Sequence, residues 1–476
     1  MSHSADTFAA TPSAHPWFFC GVGGSGMLPL ALILRGLGAQ VAGSDRSHDQ
    51  GRTPEKFAWL NSLGVALHPQ DGSGIVSGDQ ILVASAAIED TVPEVIAARR
   101  LGSPRLSRAD VLAALFNRAT TPIAVAGTSG KSTVTGMIGW IMTATGRDPT
   151  IVNGAVMKNF VAPGAPFAAA RVGQGAQFVA DVDESDGSIA LYRPAVGVLG
   201  NVSLDHKSLD ELRVLFGDFL AASHAVAINA DDPESMALVP RARQVLTFGL
   251  GPDATIAADP DTIHEAATSL AATVIDRRNG DTHALNLQVP GRHNLMNALA
   301  ALTAADLAGV PLATAVATLA GFAGLARRFD IVGTSPKGVT VIDDFGHNPE
   351  KIAATLNTLR AHPGRVLALF QPHGFGPLRQ MGAELAQVLA THLGPQDRVI
   401  LTDPVYFGGT VDRSIGSDNI VAMINHAGGH ARHIAAREAA AEALLAMACP
   451  GDRVVIMGAR DDTLAQFAAD VLRRLT

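Results

Sequence analysis

Residues 124–133 read AVAGTSGKST, and this stretch decides the expected fold of the middle of the chain. The apolar run PIAVA precedes the glycines, and TVTGMIGWIM, a largely apolar helix pattern, follows them. Strand, glycine loop and helix is the order in which backbone N–H groups and a helix N-terminus converge on an anion. The spacing is short, because Val125 stands where the first Walker A glycine belongs. We therefore predict a phosphate-binding loop, with an ordinary strand–turn–helix as the alternative.

Such a loop gives two side chains specific roles. Lys131 is expected to reach the terminal phosphates of a nucleoside triphosphate, and the Ser132 hydroxyl is expected to ligate Mg²⁺. Both predictions depend on the loop being a phosphate site rather than a turn with a solvated lysine.

Acidic residues and a histidine follow the next apolar strands. The cluster DVDESDGS starts at residue 181 directly after FVA, and NVSLDH, residues 201–206, follows the strand VGVLG. Open α/β sheets bind ligands where strands end, and carboxylate oxygens suit Mg²⁺ that bridges phosphates. We assign Glu184 and His206 to the metal. The alternative for the remaining acids, Asp181, Asp183 and Asp186, is that they are solvated turn residues. This alternative is strongest for Asp186, which precedes a glycine.

The N-terminal part has its own glycine turn. FFCGVGGSGM, residues 18–27, runs from a strand into a turn, and a second strand ends at Asp45 about 20 residues later. This resembles a dinucleotide-type βαβ opening with the acid placed for a ribose hydroxyl. The glycines do not fit G-x-G-x-x-G, so a turn that lets a helix pack close to a sheet is the alternative.

The last third of the chain predicts another α/β unit. Apolar strands at residues 339–343, 366–370, 398–402 and 453–457 alternate with alanine-rich helix patterns. Polar groups gather after the strands in the segments DDFGH, QPH and GARD. We expect an α/β fold of three domains, at residues 1–120, 121–327 and 328–476.

Composition limits the class of protein. The chain has 476 residues, a net charge of −8 and 47% hydrophobic residues, which fits a globular protein and argues against a nucleic-acid surface. Its apolar runs are too short to span a bilayer, and its two cysteines fit a reducing compartment. We expect a cytoplasmic protein without membrane or nucleic-acid partners.

Together these segments resemble the Mur ligases, the ATP-dependent amide-forming enzymes of peptidoglycan synthesis. GTSGKS, residues 127–132, is similar to the family's shortened Walker A. VPGRHNLMNA, residues 289–298, is similar to its adenine-contacting segment, and DDFGHNP, residues 343–349, to its hinge-proximal motif. The likeness covers nearly the whole chain in the family's order. It implies a Rossmann-like UDP-binding domain, a central P-loop ATPase-type domain and a C-terminal Rossmann-like domain that binds the amino acid.

The resemblance implies roles for individual residues. The implied catalytic groups are Lys131, Glu184, His206 and Arg328, and the implied metal ligands are Ser132, Glu184 and His206. The implied ATP contacts are Gly127, Thr128, Ser129, Gly130, Lys131, Ser132, Thr133, His293, Asn294, Asn297, Arg328 and Asp344. The implied UDP-sugar contacts are Gly23, Gly24, Ser25, Gly26, Met27, Ser44, Asp45, Ser85 and Ala86. The implied amino-acid contacts are His347 and Arg379.

Several of these residues have structural alternatives. Arg328 could be a surface arginine, and His347 a helix cap. Asn294 and Asn297 could be a helix N-cap and a tolerated surface amide.

The implied reaction uses ATP and Mg²⁺ to join a small amino acid to UDP-N-acetylmuramate. We expect the protein to be a monomer or a homodimer. Within the family, the branch that uses L-alanine is most similar. Three segments depart from that branch: Ser129 replaces a histidine, Phe345 and Asn348 replace tyrosine and histidine, and GFGPL, residues 374–378, replaces an arginine-rich stretch. A ligase for murein tripeptide, or for another amine, is therefore the alternative.

Two alternative hypotheses place the chain in other classes of protein. An NAD-dependent dehydrogenase would explain the N-terminal glycine turn but not the Gly-Lys-Ser loop. A nucleotide-sensing protein would use Lys131 but need neither Glu184 nor His206.

Overall fold

The computed structural model describes residues 5–85, 88–203, 207–406 and 412–475. The strands of this part of the chain form three sheets with helices around them, which confirms the expected α/β class. Backbone contacts divide the chain into two compact units. The first comprises residues 1–264, 271–287 and 294–323, and the second comprises residues 265–270, 288–293 and 324–476. Among the described residues, no helix is both long and apolar enough to cross a bilayer.

The first sheet is parallel, with strand order β3-β2-β1-β4-β5. Its strands are β1 Pro16–Cys20, β2 Gln40–Ser44, β3 Ala66–His68, β4 Ile81–Ala84 and β5 Arg105–Ser107. Its helices are α1 Ala5–Ala10, α2 Met27–Gly36, α3 Arg46–Asp49, α4 Pro54–Ser62, α5 Pro93–Leu101 and α6 Arg108–Asn117. The central strand β1 is apolar because both of its faces are covered, and Phe18 and Phe19 are completely buried. The order of neighbours reverses at β1, so its carboxyl end is a topological switch point.

The second sheet carries the Gly-Lys-Ser loop near its centre. Its strands are β6 Thr121–Ala126, β7 Thr150–Val152, β8 Ala170–Arg171, β9 Gln177–Asp181, β10 Val196–Leu199, β11 Ala225–Asn229, β12 Val245–Gly249, β13 Ile256–Ala258, β14 His264–Glu265, β15 Leu270–Asp276 and β16 Asp281–Leu287. Its helices are α7 Lys131–Ala144, α8 Leu209–Ala222, α9 Pro233–Ala237, α10 Arg292–Leu307 and α11 Leu312–Leu319. Strand β6 pairs in parallel with β9 and with β10, so the segments after all three strands emerge at one edge.

The first two sheets share one apolar core. Phe116 of α6 contacts Phe178 of β9 and Tyr192, with ring centroids 5.6 and 5.1 Å away. This packing explains why the first sheet and most of the second fall in the first compact unit. The exact three-domain boundaries stay a prediction.

The third sheet, in the second unit, has the order β17-β18-β22-β19-β20-β21. Its strands are β17 Asp330–Thr334, β18 Thr340–Asp344, β19 Val366–Gln371, β20 Arg398–Leu401, β21 Ala431–His433 and β22 Arg453–Gly458. Its helices are α12 Pro349–Arg360, α13 Phe375–His392, α14 Ser417–His426, α15 Arg437–Met447 and α16 Leu464–Arg474. Only the edge pair β17–β18 is antiparallel in the described part of this sheet. The polar segments after β18, β19, β20 and β22 therefore share one edge.

Candidate active site

The loop between β6 and α7 has the backbone of an anion-binding turn. Gly130 has a φ of +85°, a left-handed conformation that favours glycine, and α7 begins at the next residue. The first turn of a helix has N–H groups without intrahelical acceptors, and these point towards the loop. The loop and helix follow the sequence prediction in both order and position.

Asn201 holds this loop from the end of β10. Its side-chain Oδ1 accepts a 2.8 Å hydrogen bond from Ser129 N, and its backbone oxygen accepts from Thr128 N at 3.1 Å. The Thr128 hydroxyl donates to the backbone oxygen of Ser203. Sequence reasoning did not single out Asn201; the available signal was its position two residues after a strand of the same sheet.

Lys131 lies between the loop and the acidic cluster. Its Nζ donates to the Gly127 oxygen and to Glu184 Oε2, each at 2.7 Å. The Glu184 side chain is only 5% exposed, and that of Lys131 is 20% exposed. The buried carboxylate thus fixes the lysine beside the position where phosphates are expected.

Ser132 pairs with a different acid. Its hydroxyl donates to Asp181 Oδ2 at 2.8 Å, and the same oxygen accepts from Gly154 N at 3.2 Å. Asn153 is fully buried and donates from its side chain to the Ser132 backbone oxygen. The carboxylate beside the predicted metal-ligating hydroxyl is therefore Asp181, which the sequence left open, while Glu184 contacts Lys131.

The other acids of the cluster shape its turn. Burial opposes ionisation of Asp183, but hydrogen bonds from Ser185 hold the pKa of this carboxyl below its ordinary value. Asp186 accepts from Ser188 N and lies 3.9 Å from the guanidinium of Arg108 in α6. These contacts fit the turn role considered for both residues.

No group of three or more His, Cys, Asp or Glu side chains is placed to hold a metal within the described ranges. His206, the third predicted ligand, lies outside those ranges, as does Ala86 of the predicted UDP-sugar set. The Ser132–Asp181 pair supplies one hydroxyl and one carboxylate, which are oxygen donors of the type that Mg²⁺ prefers.

The N-terminal glycine turn is held by Asp45. This carboxylate accepts from Gly23 N through Oδ2 and from Ser47 N through Oδ1, both at 2.8 Å, and so caps α3. Gly24 N donates to the Gly21 oxygen. These bonds occupy the backbone N–H groups of two glycines of the predicted UDP-sugar set, and they give Asp45 a loop-holding role beside its predicted ribose contact.

The backbone N–H groups of Ser25 and Gly26 make no hydrogen bond among the described residues, and they directly precede α2. They are the better candidates for a diphosphate within the predicted set. Ser44, from the same set, is completely buried and donates to Glu94, so its hydroxyl acts inside the fold.

The predicted adenine segment divides between the two units. Asn297 lies in α10 so close to Gly130 that a Cβ on this glycine would collide with the Asn297 side chain. Asn294 is also inside α10 rather than at its N-cap, and its Oδ1 accepts from Asn297 at 3.2 Å. His293 is in the second unit, where burial lowers its pKa.

Asp344 ends β18 and anchors the backbone around it. It accepts from Phe329 N at 2.7 Å, from Gly346 N at 2.8 Å and from the Thr355 hydroxyl at 3.0 Å. Its predicted contact with the ATP ribose would add to these bonds. Arg328 lies over the ring of Phe345, 4.6 Å from the ring centroid.

Arg327 fastens the start of the third sheet. Its guanidinium donates to the backbone oxygens of Gly458 and Asp461 and lies 3.5 Å from the buried carboxylate of Asp343. Burial raises the pKa of Asp343 to about 7, although Arg327 opposes the shift. Arg327 itself has a φ of +61°, a conformation uncommon for a side chain with a Cβ.

His347 and His373 meet where β18 and β19 end, with ring centroids 5.0 Å apart. Nδ1 of His347 lies 2.9 Å from the Phe345 backbone oxygen, which can only accept, so Nδ1 carries the proton. Burial, aided by the charge of Lys351, lowers the pKa of His347 to about 3. The ring is therefore neutral near pH 7, and its Nε2 is a hydrogen-bond acceptor. Asn348, not His347, caps α12.

Arg379, the predicted carboxylate partner of the amino acid, is engaged elsewhere. Its guanidinium donates to the Asp412 backbone oxygen at 3.1 Å and lies 3.3 Å from the Asp412 carboxylate. Its direct role in substrate binding stays a prediction.

The three sheets carry different features at their strand ends: a phosphate-type loop in one, a glycine turn at the switch point of another, and polar side chains in the third. This combination is typical of a multidomain nucleotide-binding α/β protein. Family profiles match in the same order. Residues 18–120 match the Mur ligase family catalytic domain, residues 125–305 the Mur ligase middle domain, and residues 327–460 the Mur ligase glutamate ligase domain. The chain belongs to the Mur ligase family.

Individual relatives agree with this assignment. A UDP-N-acetylmuramate–L-alanine ligase of Nitratidesulfovibrio vulgaris is 38% identical over 80% of this chain and 82% of its own. One from Sorangium cellulosum is 36% identical over 93% of both chains. The fold is similar to that of a UDP-N-acetylmuramate-alanine ligase from Thermotoga maritima, with a TM-score of 0.77, 24% identity, and 97% and 98% of the two chains covered. A murein peptide ligase from Psychrobacter arcticus has a TM-score of 0.70 at 23% identity, over 97% of this chain and 98% of its own.

Proposed function

We propose that this enzyme is an ATP-dependent ligase that joins L-alanine to the muramoyl carboxylate of UDP-N-acetylmuramate. The observation that carries the proposal is the phosphate loop, in which Lys131 and Ser132 each contact an acid of the 181–188 cluster. The names of the curated relatives support the two substrates. A dehydrogenase would leave this loop and cluster without a role.

The chemistry requires two steps. The muramoyl carboxylate attacks the γ-phosphate of ATP, which forms an acyl phosphate and releases ADP. The amine then attacks the acyl carbon, and the tetrahedral intermediate collapses to the amide and inorganic phosphate. Phosphoryl transfer depends mainly on positioning and on neutralising charge, so a fixed lysine and an ordered loop are the parts it needs.

Ser132 and Asp181 are the residues that would hold Mg²⁺, with Glu184 and His206 as the further predicted ligands. The ion would neutralise charge on the phosphate oxygens. Lys131 contributes a second positive charge, and Glu184 fixes its direction. Asn201 keeps the loop backbone in place through Ser129 and Thr128.

The glycine turn after β1 is the proposed site of the UDP group. Ser25 and Gly26 offer backbone N–H groups at the start of α2, where the helix dipole favours a diphosphate. Binding raises apparent stability by mass action, so UDP-N-acetylmuramate should raise the melting temperature increasingly with concentration. An equal response to NAD, with none to the UDP-sugar, would favour a dehydrogenase instead.

The ATP contacts proposed from the family likeness remain His293, Asn294, Asn297, Arg328 and Asp344. Cytoplasmic location and a monomeric or dimeric state also remain proposals. The amine substrate is the least constrained part, because GFGPL replaces an arginine-rich stretch of the most similar branch.

The test is a substrate screen read by mass spectrometry. The enzyme is incubated with UDP-N-acetylmuramate, ATP, Mg²⁺ and one amine at a time: L-alanine, L-serine, glycine or murein tripeptide. We expect a product heavier by one alanine residue, with the other amines used less well. Exclusive use of the tripeptide would replace L-alanine in the proposal, and no product with any amine would overturn it.

A further inference from the structure

An arginine stacked on two aromatic rings lies in the segment after β20. The guanidinium carbon of Arg413 is 3.7 Å from the ring centroid of Tyr406 and 5.9 Å from that of Phe375. The two rings lie 6.2 Å apart and nearly perpendicular to one another. A guanidinium held against an aromatic face is favoured by the ring quadrupole.

The guanidinium of Arg413 differs from that of Arg379 in its contacts. No hydrogen bond or ion pair from its guanidinium occurs within the described ranges, and the residue is exposed. Arg379 is instead bound to Asp412, directly before Arg413 in the chain. A guanidinium lying on a ring keeps its N–H edges available, and those edges match a carboxylate with two parallel hydrogen bonds.

The stack is formed by residues that follow the carboxyl ends of β19 and β20 in the chain. Strands β19 and β20 are parallel neighbours, so the segments after them emerge at the same edge of the sheet. Phe375 begins α13 two residues after His373, whose ring contacts His347. Ligands of open α/β sheets bind at this carboxyl edge.

Phe375 belongs to the GFGPL segment, residues 374–378, which carries no basic side chain. The guanidinium of Arg413, from the segment after the neighbouring strand, lies 5.9 Å from the ring that this segment contributes. Arg413 is the exposed cation of this stack, whereas Arg379, the residue predicted from sequence, is bound to Asp412.

We propose that Arg413, stacked on Tyr406 and Phe375, binds the α-carboxylate of the incoming amino acid. The proposal rests on the ligase function and assigns the residue that selects an amino acid over a neutral amine. Arg379 acts as a positioning residue, because its bonds to Asp412 fix the backbone that carries Arg413. A single guanidinium matches a single carboxylate, which favours a simple amino acid over a peptide with several.

The direct test compares L-alanine with L-alaninamide, which has nearly the same shape but no negative charge. We expect Arg413→Gln to raise the KM for L-alanine by roughly tenfold or more, because the change removes the charge-assisted hydrogen bonds to the carboxylate. The kcat/KM for L-alaninamide and the KM for ATP should not change. The preference for L-alanine over its amide should therefore fall by the same factor.

Arg473→Gln is the matched control, since Arg473 is an exposed arginine of α16 that pairs with Asp470. A second pair tests the stack: Tyr406→Phe keeps the aromatic face and should retain most of the preference, whereas Tyr406→Leu should reduce it. Melting temperatures establish that each variant is folded. An unchanged preference in folded Arg413→Gln would overturn the assignment and leave the ligase function standing, whereas failure of the wild-type enzyme to use any amine would refute that function itself.

Discussion

The Ser132 hydroxyl donates to Asp181, not to Glu184, and Glu184 instead pairs with Lys131. Two acids three positions apart thus serve two neighbouring residues of the phosphate loop. Asp181 is the last residue of β9, and Glu184 reaches back from the following turn. Substitutions of these two carboxylates should therefore have different effects.

Asp181→Asn should raise the Mg²⁺ concentration needed for half-maximal activity by roughly 10–100-fold, because an amide keeps the shape but not the charge of the ligand. A Mg²⁺ titration of ADP release measures this. Asp210→Asn is the control, since the Asp210 side chain is 91% exposed on α8. Identical Mg²⁺ titrations for wild type and Asp181→Asn would show that this carboxylate only braces the loop.

Lys131→Ala should lower kcat by roughly 10²–10³-fold or more, because its charge acts on the transferring phosphoryl group. The structure predicts a lower melting temperature as well, since the change leaves the buried carboxylate of Glu184 without its cation.

The double variant Lys131→Ala, Glu184→Gln separates the two effects. It should regain much of the lost melting temperature while activity stays low. Substantial turnover by either folded variant would show that the loop is not part of the active site.

Gly130→Ala should weaken ATP binding, because the added methyl group would collide with the side chain of Asn297. Residue 130 also has a left-handed backbone conformation, which favours glycine. Gly146→Ala is a matched control with a φ of +77° and open space around its Cβ position. Both changes carry the cost of a positive φ, which is about 1 kcal/mol or more. Calorimetric titration with a non-hydrolysable ATP analogue should show a loss for Gly130→Ala alone, and equal affinities in both variants would contradict this account of the loop.

His347 should make stability depend on pH. Its folded-state pKa is about 3, whereas an unfolded histidine titrates near 6.5, so the unfolded chain binds the extra proton between these values. Stability from this group is therefore complete above pH 6.5 and falls as the pH drops towards 3.

Urea unfolding of wild type and His347→Gln measures this contribution. The wild-type advantage should be constant above pH 7 and should decline below pH 6 by up to about 1.4 kcal/mol per pH unit. A difference between the two proteins that stays constant down to pH 4 would mean that the ring titrates normally in the folded state.

The sequence predicted the parts of the site that depend on local order. The loop at residues 127–132 could be placed because strand, glycines and helix are contiguous, and the α/β class followed from repeated strand–helix alternation. The partner of Ser132 could not be placed in this way. That partner depends on β9 lying beside β6 in the sheet. Asp181 and Glu184 are both carboxylates of one cluster, so the sequence does not distinguish which of them faces Ser132.

Other contacts could not be predicted from the sequence either, because they also depend on how the strands are ordered in the sheets. Asp45 was expected to face a ribose, but its distance to Gly23 N is set by the packing of β2 beside β1. Arg413 is separated from Phe375 by a helix and a strand, so their stacking depends on the third sheet's topology.

The most direct test of the central claim follows oxygen from the muramoyl carboxylate. UDP-N-acetylmuramate labelled with ¹⁸O in that carboxylate is turned over with L-alanine, ATP and Mg²⁺, and the released phosphate is analysed by mass spectrometry. An acyl phosphate requires one labelled oxygen to pass to phosphate in every turnover, and this is the predicted result. Unlabelled phosphate, or ADP release that proceeds equally without UDP-N-acetylmuramate or without L-alanine, would contradict the assignment of this protein as an acyl-phosphate-forming ligase.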